Sequence, residues 1–323
     1  MPDTRTTGND TLRRPSFFRY IEWPMARSPR SIAFATLLVV ALSGVFFGGS
    51  ASALPVAEVA RPFDLADRAF ILCWHTFLGK KSLNTDFSLD EVASQIDELK
   101  ALGYHFIDLD DALFGRIEGS LNLVATIDDG HRTIASAYTK VFASRGIRPA
   151  LLVYPAVIGE SPYFLKTAEL QALVDSGCSV GSHGFYHLFV TEKLYRSDKA
   201  AFEKEIFKAK SSVEAMTGLP SYFYAYPFGS FDQITKTEVE RAGYDFGLAV
   251  KPGFVYTDAR LNDRYEIPRT VVLRDGWDAL VAFLARNAGT AKITGPEPQT
   301  WTESDEFPAP ELWTQETRSP LVH

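Results

Sequence analysis

From residue 69 to about residue 286 the chain alternates short apolar runs with helical stripes, and a glycine stands where helix gives way to strand. Gly103, Gly146, Gly177, Gly218 and Gly243 each follow a helical pattern and precede an apolar run. Glycine just past a helix end takes the left-handed conformation without a Cβ penalty, so each marks a helix stop. The runs read as strands over Ala69–Trp74, Tyr104–Leu109, Leu121–Ile127, Ala150–Tyr154, Cys178–Ser182, Tyr222–Tyr226, Phe246–Val250 and Thr270–Leu273. The last leads into a helix that runs to about Arg286. Ser88-Leu89-Asp90-Glu91 is a capping box, and it opens a helix with the stripe Leu89, Val92, Ala93, Ile96, Leu99 and Leu102. Sustained strand–helix alternation implies parallel pairing. The units are too many for one small sheet, so the expected fold is α/β, an irregular (β/α) barrel forming one domain over residues 54–290. A doubly wound sheet is the alternative. In either, function collects at the C-terminal ends of the strands.

The flanks read differently. Residues 31–49 are an almost uncharged apolar run, preceded by Arg27 and Arg30 and followed by Ala51-Ser52-Ala53. These are the parts of a secretory signal, with cleavage expected after Ala53, and the run is also long enough for an uncleaved membrane anchor. Met25 begins a signal of ordinary proportions. Export follows on either reading, to the periplasm, the exterior or the outer face of a membrane. Residues 291–323 read as a proline-rich acidic tail with little regular structure. Without residues 1–53 the chain holds 27 basic and 37 acidic residues, a formal charge of −10. That balance lacks the footprint of a nucleic-acid binder. Cys73 and Cys178 lack CxxC spacing and read as buried thiols.

Three strand ends carry chemistry. The run from Leu121 ends in Asp128-Asp129-Gly130. Neighbours on a regular strand face opposite ways, so the two carboxylates reach one site only if Gly130 permits a sharp turn. On its own, Asp-Asp-Gly is equally a plain surface turn. The strand after Gly177 ends in Gly181-Ser182-His183-Gly184-Phe185-Tyr186-His187. Histidines four apart on one helical turn suit a single ion, and isolated ones are more often ordinary surface residues. The third end, Tyr224-Ala225-Tyr226-Pro227-Phe228-Gly229, is a shaped loop whose aromatics either stack on a sugar or cap the barrel.

Taken together, these motifs resemble the NodB-like polysaccharide deacetylases (carbohydrate esterase family 4). Thr126-Ile127-Asp128-Asp129-Gly130 matches their first motif. His183 to His187 matches the H-(S/T)-x-x-H motif, with Gly184 in the Ser/Thr place, and Ala225-Tyr226-Pro227-Phe228 matches part of the third. The third-motif arginine is absent, and after His187 the one remaining histidine is His323. An early histidine, in Ile71-Leu72-Cys73-Trp74-His75, makes the motif order resemble the exported poly-N-acetylglucosamine deacetylases.

The resemblance implies a divalent metal held by Asp129, His183 and His187, zinc first, with cobalt or nickel possible. The ion would polarise an acetamide carbonyl and acidify water. Asp128 would be the general base. A backbone N–H of the Tyr226-Pro227-Phe228 loop would help hold the oxyanion. Arg269 could replace the missing arginine, and its bland role is a surface ion pair. Tyr226, Pro227, Phe228 and Trp74 would contact substrate. His75, sharing a strand face with inward-facing Cys73, would protonate the departing amine, which otherwise leaves poorly. His131 fits no ligand position, and His105 reads as a core histidine. The expected partner is an N-acetylated polysaccharide outside the cytoplasm: exopolysaccharide first, then peptidoglycan or chitin-like glycans. Residues 31–49 offer possible membrane attachment. A non-catalytic glycan-binding module and an O-acetyl esterase are the competing readings.

Overall fold

The computed structural model describes residues 67–257 and 262–289. The expected signal or anchor, the start of the domain and the tail with His323 lie outside the described residues. In chain order the elements are β1 (Arg68–Trp74), α1 (Leu89–Ala101), β2 (His105–Phe106), α2 (Leu109–Leu113), β3 (Asn122–Asp129), α3 (Thr133–Ala137), β4 (Ala150–Val153), α4 (Thr167–Asp175), β5 (Val180–Ser182), α5 (Glu192–Ser197), α6 (Lys199–Glu203), α7 (Ala209–Thr217), β6 (Phe223–Ala225), α8 (Gln233–Arg241), β7 (Phe246–Leu248), β8 (Phe254–Tyr256), β9 (Thr270–Val271) and α9 (Trp277–Asn287). A π turn, Lys204–Lys208, joins α6 to α7. The five stop glycines all have positive φ. The capping box closes as read, Ser88 and Glu91 each accepting the other's backbone N–H.

β1, β3, β4, β5, β6 and β7 lie side by side, parallel and in that order. The sheet then curls back on itself. Leu248 bridges Ile267, Lys251 bridges Arg269, and the next residues, β9, pair parallel with β1 at Leu72 and Cys73. A strand order without reversal that returns to its first strand is an irregular (β/α) barrel, and the doubly wound alternative falls. Two departures make it irregular. The strand expected over Tyr104–Leu109 shrinks to His105–Phe106, because Leu109 already belongs to α2. His105 is therefore exposed at an edge, a correction to its core reading. β8 runs antiparallel to β1 and is too short and too close to Gly253 to show as a run of its own.

Alternation along the strands sorts the core into layers. Phe70, Leu72, Trp74, Leu123, Ala125 and Ile127 pack outward against the helices. Ala69, Ile71, Val124, Ala150, Leu152, Ala225 and Leu248 fill the barrel, with Leu109 and Ala112 of α2 among them. The inward parity of β3 therefore runs Val124, Thr126, Asp128. Both cysteines are buried free thiols.

Candidate active site

Asp128 arrives at the barrel mouth by register alone, as the last inward residue of β3. It is 2% exposed, and Arg269, 0% exposed, meets it from the segment before β9. Nη1 of Arg269 donates to Oδ1 at 2.7 Å and Nη2 to Oδ2 at 3.0 Å, a two-pronged pair. Nη1 also donates to Thr126 Oγ1 at 3.3 Å, and that hydroxyl donates to Leu72 O. Burial alone would push the Asp128 carboxyl up. The charge of Arg269, its two hydrogen bonds and nearby His183 outweigh this and hold it well below the usual carboxylate range.

Asp129 would face outward on a regular strand. Its φ is +73°, and the Gly130 N–H closes a tight turn onto Asp128 O at 3.0 Å. The turn brings the second carboxylate back to the mouth. Gly130 also has positive φ, but the residue that turns is the aspartate itself, helped by the ease with which Asp adopts this region.

His183 follows β5 and is 3% exposed. Its Nδ1–H donates to Ala225 O at 2.9 Å, which fixes the tautomer and leaves the Nε2 lone pair facing the mouth. His187 does not lie on a helical turn, as its spacing suggested. Residues 183–190 are a loop, and His187 has φ +64°. Its Nε2 lies 3.2 Å from that of His183 and 3.6 Å from Asp129 Oδ1, and His183 Nε2 lies 3.8 Å from the same oxygen. Donors about 2.0–2.2 Å from one ion in tetrahedral geometry sit roughly 3.3–3.6 Å apart, so the three atoms fit one divalent cation. Burial pushes both imidazoles down to about 4, so both are neutral at pH 7, as ligands must be.

A second cluster, Cys73, His75 and Asp128, also brings donor atoms within 4.8 Å. It does not suit a metal. Arg269 already takes both Asp128 oxygens, and burial pushes the Cys73 thiol well up, away from thiolate.

Residues 119–247 match the profile of the family described as Polysaccharide deacetylase. That stretch, 129 of the 323 residues, is similar to a polysaccharide deacetylase domain. Among solved structures, IcaB from Ammonifex degensii superposes with a TM-score of 0.59 at 22% identity, covering 68% of this chain and 97% of that one. PplD from Streptococcus pyogenes, solved in complex with acetate, gives a TM-score of 0.58 at 17% identity, covering 67% of this chain and 97% of its own. Likeness at such identity speaks for a shared fold. The provisionally named polysaccharide deacetylase YxkH of Bacillus subtilis (strain 168) is 22% identical over 136 residues, 42% of this chain. The match spans about half of that relative, 47% of its length.

At the barrel mouth His75, Asp128, Asp129, His183, His187, Tyr226 and Phe228 line one cavity, together with Gly229, Val250 and Val271. At about 60 Å³ it has room for an ion and a few waters but not for a sugar ring. Other expectations need correction. Trp74 has the parity opposite to His75, points into the outer core at 0% exposure, and donates its Nε1–H to Gln95; it cannot touch substrate. Pro227 is buried and off the cavity lining. The Tyr226 ring is buried too, stacked on Phe231 with its hydroxyl donating to Tyr265 O, so of the expected substrate contacts Phe228 alone offers an open ring. Within the Tyr226-Pro227-Phe228 loop the Tyr226 N–H is bonded to Leu248 O and proline has no N–H, so an oxyanion donor from this loop would have to be the Phe228 N–H. Arg269 is no surface pair. Sequence reasoning also missed two buried acids, Asp86 and Glu205, and exposed Phe189, which stacks on Phe228 at 4.0 Å. Glu205 had a signal: it falls on the same helical stripe as Phe202, Ile206 and Ala209, where an acid is out of place.

Proposed function

We propose that this chain is a metal-dependent hydrolase that removes N-acetyl groups from an exported polysaccharide. The observation that carries it is the convergence of the Asp129, His183 and His187 donor atoms beside an aspartate held ionised by Arg269. Those three residues would hold the metal. A bound divalent ion, zinc first, supplies Lewis acidity to the scissile carbonyl and to the attacking water. Asp128 accepts a proton from that water as its oxygen adds to the acetamide carbon. Its closeness to His183, 3.6 Å from Oδ2 to Nε2, keeps it beside the donor set, while Arg269 occupies it from behind. A proton held on His75 passes to the amide nitrogen as the C–N bond breaks, and acetate and a free amine leave. Asp128 then releases a proton to solvent and His75 regains one.

Phe228 and Phe189 form a platform next to His187 on which a sugar face can rest. Export rests on residues 27–53, and N-terminal sequencing of protein recovered outside the cytoplasm should begin near Leu54. For the reaction, metal-loaded protein should release acetate from a pentaacetylated chito-oligomer and chelated protein should not. Binding of the oligomer without acetate release at any metal loading would favour the glycan-binding reading instead.

A further inference from the structure

Glu205 lies outside the cavity, yet its carboxylate faces the backbone of the histidine loop. Oε2 accepts the N–H of Phe185 at 2.9 Å and of Leu188 at 3.2 Å, and Oε1 accepts that of Tyr186 at 2.8 Å. The residue is 0% exposed and sits in the π turn between α6 and α7, a local widening of the helix often found at functional sites. A single carboxylate thus gathers the amides on both sides of His187, the ligand whose φ is +64°. No element of regular structure holds this loop, so its shape has to come from such a partner.

Gly184 points to the same arrangement. It has φ +73°, and a Cβ built there would run into the Glu205 carboxylate and lie 3.0 Å from Pro227 Cγ. The side-chain space at position 184 is filled by the glutamate. We infer that Glu205 is a positioning residue for the metal ligands, holding from the π turn between α6 and α7 the loop that carries His187. The inference rests on the proposed metal site. Its content is that the glutamate sets the separation of the two Nε2 atoms and hence the affinity for the ion.

Glu205→Gln tests this with little change of shape. The amide keeps one acceptor oxygen but turns an NH₂ group toward backbone N–H donors. Metal-stripped full-length protein is titrated with Zn²⁺, and its melting is followed without metal. The variant should melt within a few degrees of wild type when metal-free and bind Zn²⁺ about 10–100-fold more weakly, the usual effect of losing a group that orients a ligand. Gly184→Ser should weaken binding in the wild-type background and do less harm, or partly restore it, in Glu205→Ala. Wild-type protein that binds no Zn²⁺ would reject the metal site itself. Wild-type binding with an unchanged Glu205→Gln affinity would reject only the role of Glu205. A variant that cannot be recovered folded, or whose folded fraction binds normally, would likewise overturn it, because the glutamate would then serve the fold and not the loop.

Discussion

At the floor of the cavity Asp128 and Arg269 are placed by strand register and are 2% and 0% exposed; at its rim Asp129, His187 and Phe228 are placed by backbone turned to positive φ. The rim set comprises every non-glycine residue with positive φ among the described residues, and all three line the cavity. Such conformations cost of order 1–3 kcal/mol each and persist only where the surroundings impose them. The floor is a dry ion pair that fixes a protonation state. The rim is a strained assembly that fixes a geometry. Chemistry that needs an ionised base and three converging ligands thus takes each from the part of the fold best able to supply it.

The largest effects should come from separating the two. Asp128→Asn removes the base and leaves the rim intact, so metal content should stay at the wild-type level while kcat falls by about 10²–10⁴. Loss of metal together with activity would mean that the floor also holds the ion. His75→Ala should keep metal too, with a kcat loss on an N-acetyl glycan toward the lower part of that same range, about 10² or more. On an aryl acetate, whose leaving group needs no proton, the loss should be smaller. Equal losses on both substrates would remove His75 from the role of acid.

Next in size is the floor itself. Arg269→Leu leaves a buried carboxylate without its partner and should cost about 3–5 kcal/mol of stability near neutral pH. In the wild type the Asp128 pKa is depressed, so its contribution is present above the ordinary carboxylate range and is lost only as pH falls through the lower folded value. In the variant, unopposed burial raises that pKa, and protonation relieves the penalty as pH falls. Urea midpoints of metal-free protein should therefore differ more at pH 8 than at pH 5. A gap that ignores pH would mean that the pair does not control the charge of Asp128.

The smallest effect lies beyond the rim. Arg274 hydrogen-bonds Glu91 with 2.6 Å between Nη1 and Oε1 and also donates to Asp86 O; the Asp86 carboxylate in turn accepts Thr76 Oγ1–H at 2.6 Å and the Leu78 N–H at 2.8 Å, just after His75. The hydrogen bonds from Arg274 and from the Ser88 backbone lower the Glu91 pKa to about 2. Its stabilisation is present above about 4.3, the unfolded value, and fades as pH falls toward about 2. Partly exposed, it is worth about 1 kcal/mol or less, so Glu91→Gln should lower Tm by no more than about 2–4 °C at pH 7. The variant and wild-type Tm should converge in acid. A difference that persists at pH 2 would assign the effect to packing.

How much of this was legible in the sequence follows the same division. Strand order, helix stops and the position of Asp128 come from periodicities and from glycines whose conformation has few alternatives. The convergence of Asp128, Asp129, His183 and His187 could be expected because β3 and β5, with β4 between them, run parallel and both end at the barrel mouth, where the loop after β5 carries His187. Trp74 was misassigned although parity was available: the step that turned His75 inward also turned Trp74 outward. The loop from His183 to His187 looked helical because its spacing suits a helix, whereas its shape is imposed by Glu205, distant in sequence. The positive φ of Asp129, His187 and Phe228 left no mark, since tertiary contacts decide where a residue other than glycine adopts it. β8 was invisible for want of length.

The central claim is that Asp129, His183 and His187 hold one divalent ion on which deacetylation depends. The most direct measurement is to strip the protein of metal, titrate it with Zn²⁺, and follow bound metal and acetate release together, for wild type and His183→Ala. Wild type should recover activity in step with binding and reach a plateau at one ion per chain. His183→Ala should bind little metal and release almost no acetate throughout. Full acetate release by stripped wild-type protein, or normal metal binding and turnover by His183→Ala, would contradict the account.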